Sequence, residues 1–435
     1  MKFNYDYSQT MVMKLDIGLP DNNGGCRVFN TFDEALEKIK IADALTLGAP
    51  KIVYLVGWQY NGHDDKYPAF FEVNESAKSA QDSSARESLL RLVEEAKKYN
   101  TVVSYHINLS DAYPCSPLWD EYVRKDLILK NRFGKLKKTG TWNGRTAYQV
   151  RFAEEYKSGC FRSRVDRLME LLPIREAGTV HVDAFFVRKG KDTSIKEEKI
   201  YRRRMIEYFM QNGVDVTSEF IYRERSNGLR LHFGKSDVIG IIPAFWNLVL
   251  SQKDYLRYSP REIAGGCLNM DLQTDKDLQY LFYGNTSGEG CFSEKGDWTK
   301  SFTESFALGS VPYFYLNRHK LLGIDGRGKK RVASFSGGVE TSISGRRITE
   351  NGRAIKNENT LCIPIAWREN SYFAWSKDAC SEKFYVPFEE VEISEITPYG
   401  TAVAEKKKTE NGSLTIDFKA GASYEIKGLG AQLKR

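Results

Sequence analysis

Paired cysteines are missing from this chain. Its seven cysteines, spread over 435 residues, form no Cys-x-x-Cys and no other close pair. That excludes a zinc site of standard spacing and leaves a disulfide framework without support. Free thiols of this kind suit a reducing compartment. Long apolar runs are missing too, and none approaches the roughly 18 residues of a membrane span. The opening residues, Met1 to Tyr7, contain no apolar core of a signal peptide. The expectation is a soluble chain with no membrane partner, cytoplasmic as written, or extracellular if it is an excised domain or a mature form. A strong charge of one sign is also lacking. Against 57 acidic residues stand 64 basic ones, a formal net charge of +7 that is scattered along the chain. The short basic runs Lys135 to Lys138, Arg202 to Arg204 and Lys406 to Lys408 read as solvated faces or loop tips, so no nucleic acid partner is expected.

The chain is long enough, and at 41% hydrophobic content apolar enough, for two domains, one of them large. Aromatic residues make up 13%, with 24 Tyr, 24 Phe and 7 Trp. Such rings serve as stacking platforms for sugars, and equally fill large cores.

Residues 1–30 read as a lead-in with one strand, Met11 to Ile17, stopped by Gly18, Pro20 and the Asn22 to Gly25 cluster. Thr31 to Glu34 is a capping box that opens a helix ending near Gly48 and Pro50. Lys51 to Trp58 then forms a nearly continuous apolar run, as strands buried on both faces do. It opens into a polar loop, Gln59 to Pro68, that holds His63 and Asp64. A second capping box at Ser84 to Glu87 starts another helix. The next strand, Thr101 to Ile107, again ends in a polar loop, with Asp111 and Tyr113. Residues 126–148 read as an excursion over the site, with Trp142 at its tip.

A strand, a helix and a second strand between Thr179 and Tyr222 organise the rest. The first strand, Val180 to Phe186, holds Asp183 in an apolar run, where an ionised group is costly unless it serves a purpose. A helix follows over Ile195 to Phe209, with Tyr201, Met205, Tyr208 and Phe209 at helical spacing and Gly213 as its stop. The second strand, Val214 to Phe220, delivers Glu219. One further strand, Asp237 to Pro243, leads to Trp246. Strands alternating with helices, each strand ending in a polar loop, predict an α/β fold: a (β/α)8 TIM-type barrel over 31–320. From 321 to 435 short runs separated by turn residues predict a C-terminal antiparallel β-sandwich.

Two carboxylates on neighbouring strand ends of a barrel are what glycoside cleavage requires. One attacks or stabilises the anomeric carbon and the other protonates the leaving oxygen. Asp183 shares a strand face with His181, a neighbour that helps it stay ionised. Glu219 is flanked by Phe220 and Ile221, whose desolvation would raise its pKa. Each has a plainer reading as a structural acceptor or helix cap. Asp215 reads as structural, His63 and Asp64 either as site residues or simply as a turn, and Trp142 and Trp246 as platforms or core. His106, His232 and His319 read as ordinary histidines. Asp111, Tyr113 and Asn247 lie near the rim by position alone.

The run Ile52 to Asp64, followed by His181-Val182-Asp183 and Asp215 to Glu219, resembles the catalytic barrel of glycoside hydrolase family 101, the endo-alpha-N-acetylgalactosaminidases. The likeness covers roughly residues 40 to 320. It implies a retaining hydrolase, in bacterial carbohydrate metabolism, that releases Gal-beta-1,3-GalNAc from Ser or Thr of mucin-type O-glycans or glycopeptides. It also implies Asp183 as nucleophile and Glu219 as acid/base, with His63 and Asp64 holding the sugar. His181, Trp142 and Trp246 are further substrate-binding candidates. The family's second lid tryptophan has no counterpart beside Trp142. No cofactor and no metal is expected. Three alternatives stand beside this reading: another alpha-linked GalNAc- or Gal-type substrate, a metal-dependent barrel hydrolase built on His63, Asp64, His181 and Asp183, or a non-catalytic glycan-binding protein.

Overall fold

The computed structural model describes residues 3–21, 23–220, 239–243, 279–284 and 297–433. The first strand, β1 (Met11–Asp16), is buried on both faces as far as Leu15. It is followed by a small antiparallel ribbon of β2 (Gly18–Pro20) and β3 (Cys26–Val28). Helix α1 (Phe32–Leu45) starts at the expected capping box, in which Thr31 and Glu34 satisfy each other's backbone N–H groups. Its buried residues Phe32, Ala35, Leu36, Ile39 and Ala42 recur at three- and four-residue spacing and so form one inward face. Strand β4 (Lys51–Val56) is buried throughout, as its apolar run requires. At its start the buried Lys51 ammonium bonds Asp43 and the Ala49 carbonyl, both at 2.5 Å. Burial pulls its pKa down to about 8 despite Asp43.

Helix α2 (Ala85–Ala96) and strand β5 (Thr101–Asn108) repeat the unit. A long excursion follows, made of β6 (Asp111–Ala112), α3 (Trp119–Arg124), β7 (Lys138–Trp142) and β8 (Arg145–Gln149). Three helices, α4 (Phe152–Lys157), α5 (Cys160–Leu171) and α6 (Ile174–Ala177), return the chain to β9 (Thr179–Asp183). Then come α7 (Ile195–Gln211), β10 (Asp215–Phe220) and β11 (Ile239–Pro243).

The sheet order is β1-β4-β5-β9-β10-β11, each new strand added beside the last. Neighbours run parallel from β1 to β10, whereas β11 pairs antiparallel with β10. Three expectations change accordingly. The strand of the lead-in is the edge of this sheet, paired with β4 from Met11 opposite Lys51 to Asp16 opposite Val56. The strand near residue 240 reverses direction instead of continuing the parallel run. And β9 stops at Asp183: Ala184 takes a positive φ of 40°, which turns the apolar residues 185–187 out of the ladder and into a buried loop.

Residues 321–432 form an antiparallel ten-stranded sheet that begins with Leu321–Asp325 and ends at its far edge with Gly400–Lys408. A two-stranded ribbon, Cys380–Tyr385 with Ser413–Phe418, packs on one face of it. Phe384, Leu414, Ile416 and Phe418 of the ribbon share a core with Val391, Ile393 and Ile426 of the sheet. The expected sandwich is thus lopsided among the described residues. Trp367 joins this unit to the α/β part: its indole donates to the Thr46 carbonyl at 3.2 Å and its ring meets Phe306 and Phe314.

Candidate active site

The polar groups converge at the C-terminal ends of β4, β5 and β9. The loop after β4 is pressed against β2: His63 N–H donates to the Gly18 carbonyl at 2.9 Å. Gly57 has φ +77°, and a Cβ there would stand 2.0 Å from the Gly18 oxygen, so only glycine permits this approach. The loop is pinned from within by the Trp58 indole, which donates to the His106 carbonyl at 3.0 Å. Gln59 donates to the Tyr67 hydroxyl at 2.7 Å. Asp64 takes a left-handed φ of 61°, which aspartate tolerates better than most residues.

Asp183 ends β9 with its side chain 15% exposed. Parallel pairing sets Asn108 opposite Asp183 and His106 opposite His181. Asn108 Nδ2 donates to Asp183 Oδ2 at 3.2 Å. His63 Nε2 lies 3.8 Å from the same oxygen and 3.4 Å from Asp64 Oδ2. His63 and Asp64 of the loop after β4 therefore come together with Asp183 at the end of β9. Position 219 lies on β10, whose register sets Thr217 beside His181 and Ser218 beside Val182. That brings the Glu219 backbone to the level of Asp183; its side chain is outside the described residues, as are Trp246, His232 and Asn247 altogether.

His181 is fully buried, with Nδ1 2.9 Å from the Thr217 hydroxyl. Its ring lies between Tyr54 and His106, at 5.3 Å and 5.0 Å. His106 in turn meets the His63 ring edge-on at 5.0 Å. As a substrate contact His181 is thus displaced one layer inward, because its strand position points it into the packed interior beneath the site. His106, read as ordinary from sequence, is the floor on which His63 rests. Asp215 lies at the opposite end of β10, bonded to the Tyr7 hydroxyl and the Asn4 N–H, as a structural residue would be.

The β7–β8 hairpin covers the β4 loop. Asn143 at its turn donates to the His63 carbonyl at 3.4 Å, and Arg145 pairs with the buried Asp65. Trp142 is 42% exposed beside that turn, its indole laid against Gly140. Thr139 donates to Asp111 Oδ1 at 2.8 Å, and Asn108 donates to Asp111 Oδ2 at 3.0 Å. Burial raises the Asp111 carboxyl to about 6, reinforced by the charge of Asp64 and opposed by Thr139, Arg188 and Asn108. The Tyr113 hydroxyl is pushed up by burial first and the Asp64 charge second. Tyr67 is pushed up by burial, then by Asp64 and Asp183.

Beneath both loops lies a buried ion pair. Arg164 Nε stands 2.7 Å from Glu155 Oε1, and the guanidinium also donates to the carbonyls of Pro68 and Leu109, one from each site loop. Sequence reading missed Asn108, Asp65, Arg145 and this pair. Asn108 reaches Asp183 across 75 positions, Arg145 reaches Asp65 across 80 and Arg164 reaches the Pro68 carbonyl across 96, so no local pattern marks these contacts.

The ligand atoms of His63, Asp64 and Asp183 lie within 4.8 Å of one another, a set that could hold a cation as well as sugar hydroxyls. His63 Nδ1 and Gln59 Oε1 are buried with no hydrogen-bond partner among the described residues. Buried polar atoms without partners are what a polyhydroxylated ligand would satisfy.

Carboxylates at the C-terminal strand ends of an α/β sheet, beside a polar cluster able to hold sugar hydroxyls, suit a glycosidase. The endo-alpha-N-acetylgalactosaminidase model, glycoside hydrolase family 101, matches residues 8–241, and the chain belongs to that family. Among solved structures it is similar to the alpha-N-acetylgalactosaminidase of Bifidobacterium bifidum in complex with GalNAc. The identity is 12%, with 79% of this chain and 58% of that chain covered and a TM-score of 0.53. The same enzyme in complex with Gal-NHAc-DNJ matches with the same values. At that identity the likeness concerns the fold, and this chain spans less than two thirds of that structure's length.

Proposed function

We propose that this protein is a retaining glycosidase that releases Gal-beta-1,3-GalNAc from Ser or Thr of O-glycans or glycopeptides. Asp183 attacks the anomeric carbon and Glu219 protonates the leaving oxygen, then activates the water that resolves the glycosyl-enzyme. His63 and Asp64 hold sugar hydroxyls, and Trp142 supplies a stacking face at the entrance. The observation that carries this reading is the seating of Asp183 at a strand end, in reach of His63 and level with position 219 on the adjacent strand. Five parallel strands, β1, β4, β5, β9 and β10, added side by side in chain order, support closure into a (β/α)8-type barrel over 31–320 that also takes in β1, with β11 as an antiparallel departure from the regular pattern. Retention requires the Asp183 and Glu219 carboxyl groups to stand about 5–5.5 Å apart. Residues 321–435 act as a companion domain.

The test is hydrolysis of two aryl alpha-glycosides, one bearing Gal-beta-1,3-GalNAc and one GalNAc alone, by wild type, Asp183→Ala and Glu219→Ala. Release of the disaccharide, its loss in Asp183→Ala and its partial restoration by azide are expected. Turnover that survives both substitutions would remove the assigned roles, and turnover of the monosaccharide alone would replace endo by exo action.

A further inference from the structure

Asn108 is fully buried, and its amide orientation is determined by the backbone: Oδ1 accepts from Ser110 N–H at 2.7 Å and from Asp111 N–H at 2.9 Å. A turn of this kind needs only the oxygen, and aspartate or serine would make it equally well. What asparagine adds is the NH2 group, and both of its targets are carboxylates. One is Asp183 Oδ2 at 3.2 Å and the other Asp111 Oδ2 at 3.0 Å. Asp111 belongs to β6, which pairs with β8 through Asp111 opposite Gln149, and its second oxygen accepts from Thr139 on β7. One amide thus stands between Asp183 and the hairpin that covers the β4 loop. The charged groups that act on Asp111 are Asp64, which opposes its ionisation, and Arg188, which favours it.

We propose that Asn108 is a positioning residue that sets the plane of the Asp183 carboxylate, and that Asp111 ties this clamp to the β7–β8 hairpin, so that hairpin seating and nucleophile alignment are linked. The proposal rests on the reading of Asp183 as nucleophile. A carboxylate attacks along a narrow range of directions, and a small misplacement is felt in kcat more than in binding. Asn108 fixes one oxygen of Asp183 from a rigid strand end. Asp111 occupies the amide's other hydrogen, so the group cannot rotate away.

The experiment measures kcat and KM on the aryl disaccharide for Asn108→Asp, Asn108→Ser, Asp111→Asn and Asp111→Leu, with thermal midpoints for each. Asn108→Asp keeps the turn but replaces the donors by a repelling oxygen, and kcat is expected to fall about 100-fold with KM within about threefold of wild type. Asn108→Ser removes the NH2 group that reaches Asp183 without adding charge, and reads the same loss if repulsion unfolds Asn108→Asp. Asp111→Asn keeps an oxygen for the amide and should lose less than Asp111→Leu. Asp111→Leu should also expose the hairpin to trypsin at Lys135, Lys137 and Lys138. A folded Asn108→Ser that retains wild-type kcat overturns the proposal. Asp183→Ala assayed alongside separates the two failures: if it stays active, the nucleophile reading is what fails.

Discussion

His63 Nε2 stands 3.8 Å from Asp183 Oδ2 and 3.4 Å from Asp64 Oδ2, so one imidazole faces two carboxylates, one at the end of β9 and one in its own loop. On the proposed reading this imidazole holds a sugar hydroxyl between the two carboxylates. His63→Ala is expected to lower kcat/KM about 10- to 100-fold, the loss of one hydrogen bond to a charged group, with the fold intact. Steady-state kinetics with circular dichroism checks it.

Arg164 and Glu155 carry no assigned chemistry, yet Arg164, paired with Glu155, donates to the carbonyls of Pro68 and Leu109. Glu155 also accepts from the Tyr122 hydroxyl at 2.5 Å. Removing one member strands a buried charge, so Glu155→Gln should cost about 3–5 kcal/mol in urea unfolding. A double replacement by apolar residues of similar volume should cost less.

Asp111 has a folded pKa of about 6, above the ordinary 3.8, because burial disfavours its charge. A carboxyl raised in this way gives stability that is complete below pH 4 and is lost as pH rises through 6. The stability of wild type relative to Asp111→Asn should therefore drop by about 2–3 kcal/mol between pH 4 and pH 7. Urea midpoints for both proteins across that range decide it, and a flat difference would mean that Asp111 is not raised.

Activity is expected to survive exhaustive chelation. His63, Asp64 and Asp183 are close enough to hold a cation, and loss of turnover with EDTA, restored by a divalent ion, would favour the metal-dependent alternative.

Trp142 is half exposed, so it offers a face to ligand at little cost to the core. Trp142→Ala should raise KM for the disaccharide about threefold to tenfold, the worth of one aromatic contact, without lowering the thermal midpoint.

The outline of the fold was legible because its signals are local. The capping box at Thr31 and Glu34, the buried run of β4 and the spacing of α7 each act within a few residues, and each forms where it was read. The direction of the strand Ile239–Pro243 was not legible, since a short apolar run has no polarity of its own. Nor was the end of β9: the residues after Asp183 are as apolar as a strand, and the positive φ at Ala184 shows only in three dimensions.

The same division runs through the site. Sequence alone determined that Asp183 falls on a strand and that His63 and Asp64 lie in a polar loop, since apolar runs and turn composition are properties of neighbours along the chain. Tertiary structure decided that His181 is packed inward while His106 supports His63, and that Asn108 meets Asp183 across 75 positions. The register of two parallel strands makes those contacts. It is set by the packing of helices and loops far from either residue, so no window of the sequence contains it.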